Sequence, residues 1–117
     1  MRIAIVGSRS VTKVNVAPYV SDGDEIVSGG ATGVDQCVAE YARQHGIKLI
    51  EFLPDYERYG RAAPIVRNRK IVDYADKVVV FWDGCSRGSL SVIQYAQKRG
   101  KMCEINVCKR GEKIENP

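Results

Sequence analysis

The sequence has no long hydrophobic run. Its longest, Ile3 to Val6 and Val78 to Trp82, are far too short to cross a bilayer, so no membrane partner is expected. No basic stretch followed by an apolar one opens the chain, which argues against a secretory signal. The four cysteines (Cys37, Cys85, Cys103 and Cys108) include no C-x-x-C pair, and His45 is the only histidine that could join them. That pattern argues against a zinc site and, without a secretory signal, against a disulfide framework. A cytoplasmic location is expected, and no cofactor. Excess charge is also small: a net +4 and a pI near 8.9 tolerate a phosphate-bearing partner but fall short of the basic bias of a duplex-DNA binder. There are no internal repeats and no low-complexity tract.

What is there reads as one ordinary domain of 117 residues, 44% hydrophobic and 27% charged. Apolar runs alternate with helical patterns. RIAIVG is a strand, residues 12 to 20 a short helix or turn, EIVS a second strand, and Val34 to His45 a helix closed by Gly46. On that helix Val34, Cys37, Val38, Tyr41 and Ala42 share one apolar face. KLIEFL is a third strand, Pro64 opens a helix to about Ala75, and KVVVFW is a fourth strand. SLSVIQYAQKR is a helix stopped by Gly100, and MCEINV a fifth strand. The domain is placed at residues 1–108, with 109–117, KRGEKIENP, as a loose polar tail.

This alternation predicts an α/β fold with a five-stranded parallel sheet and helices on both faces. AIV and VVVFW are apolar on both faces, as central strands are, whereas KLIEFL and MCEINV carry a polar side that suits edges. The predicted order is 3-2-1-4-5. It reverses between strands 1 and 4, so a crevice should open at their carboxyl ends.

Three clusters reach that crevice or adjoin it. In IVSGGATGVD, Gly29, Gly30 and Gly33 lie between a strand and a helix N-terminus, where amides point outward and a phosphate or ribose approaches a bare backbone. A tight turn alone explains one or two of them. G-x-G-x-x-G and Gly-Lys-Ser/Thr are both absent. Asp35 stands three residues after Thr32, either as a capping-box partner or as an acceptor for ribose hydroxyls. In DGCSRGSLS, Gly84, Ser86, Gly88 and Ser89 repeat the same logic, Arg87 adds either a phosphate fork or a solvated charge, and Trp82 is either a base-stacking ring or a core one. RYGRAAPIVRNRK carries five cations, normally a solvated helix face. Asn68 falls on the stripe Ile65, Asn68, Val72, Ala75, which should face the core, so its amide needs partners.

Together, IAIVGSR, IVSGGATGVD, RNRKIVDYADKVVVF and SRGSLSVIQYAQKRGK resemble the SLOG superfamily, which joins the Smf/DprA DNA-processing proteins to the Lonely-guy phosphoribohydrolases. The resemblance covers residues 1 to about 107 and is nearest to the small stand-alone SLOG proteins related to YspA and YpsA. It implies a Rossmann-like three-layer fold binding a nucleotide-like group through Gly7, Ser8, Arg9, Gly29, Gly30, Gly33, Asp35, Arg67, Asn68, Gly84, Ser86, Gly88 and Ser89. Lonely-guy enzymes carry P-G-G-x-G-T-x-x-E, whose Glu promotes glycosidic cleavage. Here Gly88-Ser89 stands at the Gly-Thr and Val92 at the Glu.

The expected function is therefore a nucleotide-binding module, a sensor or carrier of a nucleoside phosphate or ADP-ribose-like molecule. The alternatives are a nucleotide hydrolase of the phosphoribohydrolase kind, with Asp35 and Asp83 as candidate catalytic carboxylates, and a single-stranded nucleic-acid binder of the Smf/DprA kind. The expected partner is a nucleotide-like small molecule or, on the last reading, single-stranded nucleic acid. A homo-oligomer is allowed, and no metal is expected.

Overall fold

A computed structural model describes residues 1–30 and 33–108, together with the backbone of Lys113–Ile114. The chain runs β1 (Arg2–Gly7), β2 (Lys13–Val14), a 3-10 turn (Ala17–Tyr19), β3 (Glu25–Ser28), α1 (Val34–His45), β4 (Leu49–Glu51) and α2 (Tyr56–Tyr59). A second 3-10 turn (Gly60–Ala62) leads to α3 (Ala63–Tyr74), β5 (Lys77–Trp82), α4 (Arg87–Lys98), β6 (Met102–Val107) and β7 (Lys113–Ile114). The main sheet has five parallel strands in the order β4-β3-β1-β5-β6.

The strands apolar on both faces, β1 and β5, lie side by side in register from Ile3–Lys77 to Gly7–Phe81. Alternation then divides them between two cores. Ile3, Ile5, Val79 and Phe81 point to the face covered by α1, through Val34, Val38 and Ala42. Ala4, Val6, Val78 and Val80 point to the face covered by α3 and α4, through Ile71, Val72, Val92, Ile93 and Ala96. Helices therefore cover both faces, giving a Rossmann-like α/β architecture.

The strand labels differ in detail from the expected 3-2-1-4-5, although the five expected segments lie in that order. Lys13–Val14, expected within a short helix or turn, is a strand that shifts the count, and it pairs in parallel with β7 in a separate two-stranded sheet. The reason is a period of two: Val14 and Val16 are buried against the α1 side while Lys13 is exposed. KLIEFL yields only three strand residues. Residues 56 to 62, left unassigned in the sequence, form α2 and a 3-10 turn, with the Asp55 carboxylate accepting from the Arg58 amide as N-cap. Apart from β7, the tail 109–117 lies outside the described residues.

Helix α1 has the expected bounds, and Gly46 closes it in the left-handed conformation at φ 64°. The stripe expected on α3 is corrected at two positions: Ile65 is 46% exposed, Asn68 lines the crevice, and the buried residues are Ala63, Ile71, Val72 and Ala75. The first turns of α3 overhang the crevice instead of the sheet, as shown by Pro64, Arg67 and Asn68 lining it.

Candidate functional site

At the carboxyl ends of β1 and β5, where the strand order reverses, a crevice of about 480 Å³ opens, within the range of small-molecule sites. Gly7, Arg9 and Ser10 line it from the loop after β1, and Gly29 and Asp35 from the turn between β3 and α1. Pro64, Arg67 and Asn68 contribute from α3, and Asp83, Cys85, Ser86, Gly88 and Ser89 from the loop after β5 and the first turn of α4. Val6, Ile71 and Val92 complete an apolar part of the wall.

Four expected site residues do not line it. Ser8 is buried at 2% exposure behind the wall, and Gly30, Gly33 and Gly84 stand outside it. Their bareness has other causes. Gly30, Gly33 and Gly84 hold φ values of 68°, 75° and 83°, which disfavour any side chain. At Gly33 a Cβ would also come within 2.9 Å of the carbonyl oxygens of Arg9 and Val11. Gly7 has ordinary φ, but a Cβ there would meet Val34 Cγ2 at 2.6 Å and the Phe81 carbonyl at 2.7 Å, so it lets α1 close onto the sheet.

The loops are wired to each other before any ligand arrives. Asp83 Oδ2 accepts from Ser10 Oγ at 2.7 Å, and its Oδ1 accepts from the amides of Cys85 at 2.9 Å and Ser86 at 2.7 Å. Led by the Ser10 hydroxyl and then those two amides, this set holds the carboxyl at about 2, below its ordinary 3.8. The Asp83 amide donates to Ser8 Oγ at 3.1 Å, and Ser8 Oγ lies 3.2 Å from Ser89 Oγ. Trp82, outside the crevice, donates from Nε1 to the Ser86 carbonyl at 3.0 Å and braces the loop instead of facing a base. Arg87 is exposed and also outside the crevice.

Ser86 is the N-cap of α4. Its Oγ accepts from the Ser89 amide at 3.3 Å, and its carbonyl from the Leu90 amide at 3.1 Å. The amides of Arg87 and Gly88 make no hydrogen bond among the described residues, and they carry the positive end of the helix dipole.

On the opposite wall, Asp35 is 6% exposed in the first turn of α1, whose N-cap is Gly33. That makes it the second helical residue; Thr32, its expected capping-box partner, lies outside the described residues. Arg67 is half-buried. Its Nε donates to Asn68 Oδ1 at 2.8 Å, and its Nη1 to the carbonyls of Gly29 at 2.7 Å and Phe52 at 3.4 Å. Burial pulls its guanidinium below the ordinary value, the charge of Asp35 opposes this, and Arg9 adds to the fall.

Ser10 and Pro64 line the crevice without having been among the expected site residues. Ser10 was legible as the second hydroxyl of GSRS, directly after the strand that ends at the crevice. Cys85 sits inside DGCSRGSLS, a segment expected at the crevice, although no ligand contact is assigned to it from the sequence. Among the described residues no group of three or more His, Cys, Asp or Glu side chains is placed to hold a metal, and no helix is long and apolar enough to cross a membrane.

A parallel α/β domain with its crevice at the topological switch point, walled by a glycine turn and a capped helix start, is a Rossmann-like domain. Over residues 1–59, half of its length, the chain matches YAcAr, the YspA, cpYpsA-related SLOG family, and it belongs to that family. At the level of the superfamily this means nucleotide-related binding or processing. No curated protein matches the chain.

Proposed function

We propose that the crevice binds a nucleotide or nucleotide derivative, with a phosphate seated on the first turn of α4, and that the protein acts as a nucleotide-binding module. The observation that carries this reading is Gly88. It has no positive φ, and a Cβ there would find nothing closer than Ser86 Oγ at 3.9 Å, so neither backbone strain nor packing requires a glycine. A glycine in a helix gives up stability relative to alanine, by at most about 1 kcal/mol. Bareness there gives a ligand close access to the Gly88 amide, beside the Ser86 and Ser89 hydroxyls.

The hydrolase reading has less support. Val92, in the position that carries Glu in the Lonely-guy motif, is buried and apolar, and the Asp83 carboxylate is occupied by Ser10, Cys85 and Ser86.

Titration calorimetry with AMP, ADP and ADP-ribose tests the proposal on wild type, Gly88→Ala and Gly88→Val. The expected result is binding by wild type, progressive loss from Ala to Val, and unchanged or raised thermal stability for Gly88→Ala. Unchanged binding by both variants, or no binding by wild type, overturns it.

A further inference from the structure

Arg67 lines the crevice, yet its Nε and Nη1 donors are already committed to the protein. Nε is fixed on the Asn68 side chain, and Nη1 on the carbonyls of Gly29 and Phe52. A guanidinium held this way is a brace between α3, the glycine turn and the segment after β4. Its effect on Asn68 is specific. Arg67 Nε is only a donor, so the Asn68 atom it meets must be Oδ1. That leaves Nδ2 as the free end of the amide, and it makes no hydrogen bond among the described residues although Asn68 lines the crevice. Pro64, Asn68 and Ile71 share one face of α3 by their spacing, so this donor stands between two apolar contacts, with Val6 and Val92 lining the same crevice. An apolar wall interrupted by one oriented donor suits a planar ring with an acceptor on its edge. It suits a phosphate poorly.

Resting on the reading of the crevice as a nucleotide site, we propose that Asn68 is a specificity-determining residue that donates from Nδ2 to an acceptor on the edge of the ligand's base. In the same proposal Arg67 is a positioning residue that fixes the Asn68 amide, and it is not a phosphate ligand. This changes Arg67 from the direct ligand contact that the family resemblance implies to a residue acting through Asn68.

The test compares AMP with ribose 5-phosphate, which lacks the base, by titration calorimetry. Asn68→Ala should lower AMP affinity roughly five- to tenfold and leave ribose 5-phosphate unchanged. Arg67→Gln should do the same, with no change in the salt dependence of binding. The double variant should lose no more than the larger single effect, because Arg67 acts through Asn68. Equal losses for both ligands, a reduced salt slope in Arg67→Gln, or additive effects overturn the proposal.

A measurement on the wild type covers the case in which the Arg67 variant fails to fold. The side-chain amide resonances of Asn68 should shift on adding AMP and stay in place with ribose 5-phosphate, and a shift with both or with neither overturns the proposal. Failure of the nucleotide reading itself is separate: wild type then binds neither ligand, and this proposal falls with it.

Discussion

Arg67 Nη1 donates to the Gly29 carbonyl across 2.7 Å, and a Cβ on Gly29 would stand 2.7 Å from that same nitrogen. The glycine is bare because an arginine lies over it. Asp35 Oδ2 is also 3.1 Å from that Cβ position, so two crevice side chains depend on one missing methyl group.

Gly29→Ala and Gly7→Ala should therefore behave differently. At Gly29 the nearest obstacle is the tip of a flexible side chain, so alanine should cost no more than about 1 kcal/mol of stability while displacing Arg67 and weakening AMP binding. At Gly7 the obstacles are a buried Val34 methyl and a backbone carbonyl of the central strand, and the cost should reach about 2 to 3 kcal/mol. Denaturant melts of the two variants check the order, and equal losses would contradict it.

Asp83 predicts an acid-side effect. Its folded-state pKa of about 2 lies below the ordinary 3.8, so the unfolded chain binds the extra proton first as pH falls. The stabilisation is fully present above 3.8 and disappears on acidification toward 2. Thermal melts of wild type and Asp83→Asn should converge across that window, with a constant gap at neutral pH.

Arg9 is exposed at the crevice, close enough to Arg67 to depress its pKa, and its charge is available to a ligand. Arg9→Ala should weaken AMP binding roughly threefold to tenfold at low salt, and the difference should shrink as ionic strength rises. A loss independent of salt would assign Arg9 a structural part instead.

Glycosidic cleavage needs a carboxylate near the ribose to stabilise positive charge or to activate water. Val92 supplies none, so wild type mixed with AMP should release no free base by chromatography over hours. Release that disappears in Asp35→Asn would make Asp35 the catalytic group. Without release, weaker AMP binding by Asp35→Asn marks a ribose or loop-ordering contact, and a lowered melting temperature with normal binding marks a structural one.

The sequence alone determined the alternation of elements, the bounds of α1 and its Gly46 stop, the two-sided burial of β1 and β5, and the position of the crevice. These follow from periodicity and turn chemistry within a few consecutive residues. Tertiary structure decided which bare positions face the crevice and which serve packing, because that depends on what crosses them from elsewhere. Gly29 and Arg67 are 38 residues apart, and Ser10 and Asp83 are 73 apart. No local pattern reports such a meeting. The same limit explains Ile65, whose helical spacing placed it on a core stripe while the overhang of α3 beyond the sheet put it in solvent. It explains β2 as well: two residues become a strand only when a distant segment supplies the other half of the ladder.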